Sequence, residues 1–219
     1  MLELIFLIQI DDAGSGSLIG GTIIGMYRIE TGEYFDEVIP LKYYSKANMK
    51  KKAYLRYVVK IVQRGFKKLN VRKDEPIEIC RGYMFDELRK WLDEKNYIWK
   101  NTVITGPLQE KVEKSFEEYV ISLGFPEAFI KYTKYPFHFH RILKWVYADY
   151  DHRRLLCKVG WKSWEKYGNL PLEIEYGYLP SKREYYCLKC GKKLKHSEKV
   201  KIIKYESNRP NQIFLHKHC

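Results

Sequence analysis

Two groups of residues in this chain carry chemistry, and the first is Asp11-Asp12-Ala13-Gly14-Ser15-Gly16. An apolar run, Leu4 to Ile10, reads as a buried strand, so two adjacent carboxylates emerge where a strand gives way to a glycine-rich turn. Acids placed there can hold a divalent cation, and two such ions about 3.5–4 Å apart can activate a water and stabilise a leaving oxygen. Holding them takes three or four convergent carboxylates. Further candidates are Glu78 in the strand-like Ile77-Glu78-Ile79-Cys80, and Glu110 and Glu113 in Gln109-Glu110-Lys111-Val112-Glu113, with Asp86 a weaker one because it begins a helix. Mg2+ or Mn2+ is the expected ion. If Asp12 continues the strand it points to the opposite face from Asp11, and both reach one centre only if the chain turns between them. Each acid also has a structural reading. Asp11 can organise a glycine turn through its own side chain, Glu78 can face solvent, and Glu110 and Glu113 lie where a helix dipole favours carboxylates.

The second group is Cys187-Leu188-Lys189-Cys190-Gly191-Lys192 together with His216 and Cys219. Cys-x2-Cys followed by His-x2-Cys is the spacing of a zinc knuckle and its second half-site: a tight turn lets two thiolates reach one ion, and the glycine permits the bend. His218 is the competing imidazole. Three cysteines and one histidine complete a closed tetrahedral Zn2+ site with no position open to water, so its expected role is structural. Lys189, Lys192, Lys193, Lys195, Lys199, Lys201 and Lys204 surround it and could grip phosphates. A module that only caps a core or binds protein is the alternative. Cys80 and Cys157 stand alone in apolar surroundings, and no disulfide framework is expected.

The 219 residues carry a formal net charge of +13. That charge, with 19 tyrosines, 10 phenylalanines and 5 tryptophans, points to an anionic partner and to faces on which bases stack, so nucleic acid is the expected partner. A Lys-, Ile- and Tyr-rich composition is also that of heat-adapted proteins, whose charge is a solvated surface. The charge is segregated: residues 47–73 have ten basic and no acidic side chains, and 181–219 have eleven and three, around a net acidic stretch at 74–130. Lys50, Lys51, Lys52 and Arg56 of the first block are the candidates for phosphate contact. No run approaches the roughly 18 apolar residues of a membrane span, and no basic region precedes the first apolar run, so a cytoplasmic protein without membrane contact is expected.

The elements that must position these groups follow from periodicity. Strands are expected before Asp11 and over 18–29, joined in hairpins broken at Thr31-Gly32-Glu33. A helix over 47–69 packs Leu55, Val58, Val59, Val62, Phe66 and Leu69 on one face and turns lysine and arginine outward. A strand at 77–80, a helix at 84–95, a strand at Val103-Ile104 and a helix from Pro107 to about Leu123 complete the pattern, Gly124 ending the last. The expected architecture is α/β: a mixed sheet with helices on its faces over 1–124, a helical extension and linker over 125–180, and a zinc-knuckle module over 181–219. In the middle segment, aromatic helices are expected at 137–146 and 155–167. His138, His140 and His152 there lack cysteine or paired carboxylate partners and read as packing residues. The run Leu170-Pro171 to Leu179-Pro180 reads as the separator.

Three strands, helix, strand, helix, strand, helix is the element order of the ribonuclease H-like superfamily. Ile10-Asp11-Asp12-Ala13-Gly14-Ser15-Gly16 resembles the first-strand signature of ribonuclease HII, Asp-Glu-Ala-Gly-Arg-Gly. The resemblance implies that Asp11 and Asp12 bind catalytic metal and that Gly14, Ser15 and Gly16 approach a nucleic-acid backbone at an RNA-DNA junction. Ser15 replaces the arginine of that family, and Cys80-Arg81-Gly82 stands where it has an aspartate on the fourth strand. Glu78 on its strand, with Glu110 or Glu113 on the last helix, is similar instead to RuvC-type junction resolvases. The ribonuclease HI pattern fails, since helix 47–69 has no acid, and the two-lobed sugar-kinase and actin-like ATPases need a second copy of the motif. Three readings follow: a metal-dependent nuclease for RNA-DNA hybrids or structured nucleic acid, a catalytically inactive nucleic-acid-binding protein on the same fold, and a zinc-stabilised protein-interaction protein.

Overall fold

A computed structural model describes residues 6–132 and 135–219. The chain divides into two compact units, residues 1–125 and 126–219.

In the first unit, β1 (Ile8–Ala13), β2 (Thr22–Arg28) and β3 (Tyr34–Ile39) form an antiparallel meander. Then come α1 (Lys46–Lys50), α2 (Ala53–Lys68), β4 (Ile77–Cys80), α3 (Asp86–Glu94), β5 (Trp99–Thr102) and α4 (Pro107–Ser122). β4 pairs parallel to β1 and β5 parallel to β4, giving one five-stranded mixed sheet in the order β3-β2-β1-β4-β5. β1 is therefore the central strand. Its alternating side chains divide the unit into layers. Ile8 and Ile10, with Ile24, Met26, Ile77 and Ile79, pack beneath Leu55, Val58 and Val62 of α2 and Leu88 and Leu92 of α3. Each fully buried aliphatic side chain contributes roughly 1.5–3 kcal/mol. Gln9 and Asp11 face the other way.

That second face is covered by α4, which buries Leu108, Val112, Phe116 and Val120, one residue per turn. The helix comes close because glycines lie beneath it. A Cβ on Gly25 would overlap Val112, and one on Gly14, whose φ is +82°, would overlap the Phe116 ring.

The observed elements shift several expected boundaries. β1 runs through Asp11 and Asp12 to Ala13, so the acids lie within the strand and the turn begins at Gly14; Leu4 and Ile5 of the expected strand lie outside the described residues. The single helix expected over 47–69 is two, because Lys52 takes a left-handed conformation (φ 50°) between α1 and α2 and turns Tyr54 and Leu55 into the core. The strand expected at Val103-Ile104 is β5, at 99–102. As a polar edge strand, Trp-Lys-Asn-Thr has no apolar signature, and its position follows from pairing with β4.

The second unit has short helices, α5 (Glu127–Tyr132), α6 (Phe139–Tyr147), α7 (Tyr150–Arg153) and α8 (Lys162–Tyr167), and an antiparallel sheet of β6 (Glu173–Gly177), β7 (Val200–Glu206) and β8 (Pro210–His216) in that order. The helix expected over 155–167 is only its last six residues, the stretch around Gly160 being a turn. The 170–180 run is not a bare separator: it supplies β6, which pairs with β7. No helix among the described residues is long and apolar enough to cross a membrane.

Candidate functional site

Asp11 sits near the end of the central strand, opposite Gly25 of β2 and on the face that α4 covers. Because Gly25 has no side chain, Val112 seats against it, and the next residue, Glu113, comes within electrostatic reach of Asp11. The Asp11 side chain is 7% exposed. Burial holds its carboxyl above the usual carboxylate range; hydrogen bonds from the Cys80 thiol and from the Asp12 N–H (2.8 Å) pull the other way, and the charge of Glu113 adds to the rise. Among the described residues no lysine or arginine pairs with Asp11. It is a buried acid with an acidic neighbour and no cation.

Cys80, at the end of β4, is not an isolated core cysteine. Burial pushes its thiol up to about 11, the Gly82 N–H donates to the sulfur, and the thiol donates to Asp11. It stays protonated at neutral pH, as this bond requires. Asp12 points to the opposite face, as strand alternation dictates: its Oδ1 lies beside Gly82, and its charge acts on Tyr44 and Tyr83. Cys80 lies within the field of both aspartates. The loop after it is pinned by Arg89, whose guanidinium donates to the carbonyls of Cys80 (2.8 Å) and Gly82 (3.0 Å), to Asp86 (2.9 Å) and to Asn101 (2.7 Å). Asp86 thereby has a structural task.

The other expected acids are placed elsewhere. Glu78 shares the Asp11 face but accepts from Gln9 (2.9 Å) and pairs with Lys100 (3.1 Å), which hold its carboxyl below the usual range against burial. Glu110 is exposed on the first turn of α4. Glu113 accepts from Gln109 at 3.0 Å. Among the described residues these carboxylates do not gather into a set of three or more metal-ligating groups; the cysteine-histidine group alone does so.

That group is Cys187, Cys190, His216 and Cys219, whose ligand atoms all lie within 4.8 Å of one another. Four donors this close can hold a metal ion such as zinc. The backbone builds the knuckle: Gly191, with φ +76°, donates to the Cys187 carbonyl (2.8 Å), the Cys187 N–H donates to the Lys192 carbonyl (2.9 Å), and the Lys192 N–H donates to the Cys190 sulfur. β8 delivers His216, with Nδ1 3.3 Å from Cys190 Sγ, so His216 rather than His218 is the imidazole of the set. Arg153, 9% exposed, clamps the turn from below by donating to the carbonyls of Leu188 (2.7 Å), Lys189 (2.9 Å) and Trp145 (2.7 Å). Sequence reading missed it. Its signal is only a charge inside an aromatic segment.

The basic candidates divide. Lys50, Lys51, Lys52 and Arg56 are exposed around the α1–α2 break; Arg56 donates to the Lys51 carbonyl (2.8 Å), and Lys52 and Arg56 act on Glu87. Of the lysines around the knuckle, Lys189, Lys193, Lys195 and Lys204 are paired with Asp149, Glu184, Glu198 and Glu175. In the glycine turn, Gly14 is packed on Phe116, whereas a Cβ on Gly16 would meet nothing within 4 Å, so Gly16 leaves open space at the backbone. No protein-family model matches the sequence, and a search of curated proteins returns none similar to it.

Proposed function

We propose that the first unit is a divalent-metal-dependent nuclease of the ribonuclease H-like kind, acting on RNA-DNA hybrid or structured nucleic acid. The observation that carries this reading is the buried Asp11 carboxylate near the end of the central strand, which no lysine or arginine pairs among the described residues and which lies within electrostatic reach of the exposed Glu113 on α4. A carboxylate held at the cost of desolvation, with a second acid within its field, makes a place where a divalent ion is stabilising. The 3-2-1-4-5 strand order, with only β2 antiparallel to β1, supports the same reading. Asp11 and Glu113 would hold Mg2+ or Mn2+, which keeps several waters and accepts few protein ligands. When bound, that ion supplies an activated water and stabilises the leaving oxygen. Asp12 and the open backbone at Gly16 would meet the substrate strand, with the exposed lysines at 50–52 and Arg56 on phosphates. Zinc at the cysteine-histidine group would hold the second unit's fold.

Cys80 favours a second reading, nucleic-acid binding without cleavage, because its thiol, a donor to Asp11, stands at the end of β4 where a complete two-metal centre would have another metal-ligating carboxylate. One assay separates the two. Labelled hybrid, duplex and junction substrates are incubated in Mg2+ or Mn2+ with wild type, Asp11→Asn and Glu113→Gln. Cleavage by wild type alone is the expected result. Binding without cleavage by wild type establishes the second reading, and cleavage that persists in Asp11→Asn sinks the first.

A further inference from the structure

In the second unit a cavity of about 430 Å³ is lined by His138, His140, Arg141, Lys144 and Arg209, with Tyr135 at its edge. No acid lines it. The two arginines and the lysine make no ion pair among the described residues. They come from separate elements: Arg141 and Lys144 lie on α6, and Arg209 lies in the turn between β7 and β8, so the convergence is a product of the fold and not of a charge run in sequence. Convergence is costly. Burial, then the charges of Arg209 and Arg141, holds the Lys144 ammonium below its usual range. His140 is likewise held down by burial and by His138, Arg209 and Lys166, and its Nδ1 is buried without a hydrogen-bond partner among the described residues. Like charges that repel in a concave, partly desolvated space are relieved by one compact anion with several acceptor oxygens.

We infer that this cavity binds the terminal phosphate of a nucleic-acid strand. A terminal phosphomonoester carries about −1.5 to −2 charges and three acceptor oxygens, which suits two guanidinium groups, an ammonium and two imidazoles. An internal phosphodiester carries one charge and has two ester arms that must both leave the cavity. Its volume suits one nucleotide-sized group. Tyr135, 69% exposed, offers a ring for the first base to stack on. Leu188, which lies between the two knuckle cysteines, forms part of the wall, so the cavity adjoins the cysteine-histidine turn.

The test uses the full zinc-loaded chain without added Mg2+ or Mn2+, in a buffer free of phosphate. Fluorescence anisotropy compares single-stranded oligonucleotides of one sequence carrying a 5′-phosphate, a 3′-phosphate or hydroxyl ends. One phosphorylated end is expected to bind at least about tenfold tighter than the hydroxyl form, since new charge-assisted hydrogen bonds are gained. Arg209→Gln and Arg141→Gln, each with wild-type zinc content and melting, are expected to lose most of that preference. Equal binding of all three oligonucleotides overturns the proposal, as does a preference untouched in both variants. Inorganic phosphate as competitor separates the sources: weaker binding than the phosphorylated oligonucleotide supports a strand end, and equal binding overturns it. The proposal is independent of cleavage, because the end preference is read without the catalytic ion and is expected to persist in Asp11→Asn.

Discussion

Replacing Gly14 with alanine separates two reasons for a glycine in the Asp-Asp-Ala-Gly-Ser-Gly turn: close approach to nucleic acid, and packing within the protein. At φ +82° a side chain costs about 1–2 kcal/mol in backbone strain. The added Cβ would also fall on the Phe116 ring, which is 3% exposed and has little room to move, and overpacking of that kind costs about 1–3 kcal/mol. Together the loss is about 2–5 kcal/mol. For a unit of this size, at about 4 °C per kcal/mol, the melting temperature falls by roughly 8–20 °C. Gly16→Ala is the control: its Cβ meets nothing and its φ is not in the left-handed range, so stability should stay within about 0.5 kcal/mol. Scanning calorimetry on the wild type, Gly14→Ala, Phe116→Ala and the double variant then measures the coupling. The double variant should be less destabilised than the sum of the singles by about 1–3 kcal/mol, the overlap that truncating the ring removes. An unchanged melt for Gly14→Ala, or strict additivity, would refute the packing argument.

Three more outcomes are expected. Without divalent ions, Asp11→Asn should be more stable than wild type at pH 7: the folded-state carboxyl is raised, so the penalty is absent below the unfolded value of about 3.9 and grows as pH rises through the folded value. Urea titrations at pH 3 and pH 7 check this, and a wild type that gains stability over the variant between them contradicts it. Metal analysis should find one zinc per chain, lost in Cys190→Ser; since structural zinc supplies about 10–16 kcal/mol in small modules, chelation should abolish the cooperative transition of residues 126–219 and leave that of 1–125. Arg153→Met should lower zinc affinity about 10–100-fold by freeing the Leu188 and Lys189 carbonyls, read by competition with a chromogenic chelator.

Periodicity made much of the first unit legible. β4 was readable at its observed limits because alternating isoleucines mark it, and α4 because Gly106-Pro107 opens it and Gly124 closes it. β5 was displaced, since an edge strand that buries little carries no apolar pattern and takes its position from its neighbour. The cysteine-histidine group was legible because its ligands lie in short, fixed spacings, which chelation geometry demands. The acidic site was legible only in part. Asp11 announces itself beside a glycine turn, but choosing Glu113 over Glu110 and Glu78 required knowing that Val112 seats on Gly25. A glycine inside an apolar strand was the available sign of that close approach. The hydrogen bond from Cys80 and the clamp by Arg153 join residues 69 and about 35 positions from their partners, beyond any local pattern.

The seating of α4 on Gly25 also has a kinetic side. The β1–β2–β3 meander closes through short turns, but β1 meets β4 only when a loop between residues 69 positions apart has closed, and Glu113 arrives later still. Loop closure costs entropy before native contacts compensate, so these pairings belong to the slow part of folding. As the chain leaves the ribosome, Asp11 therefore emerges on a strand with neither its parallel partner nor its helical cover. The acidic pair is among the last features to assemble, which couples any ion-binding capacity of the first unit to completion of its fold.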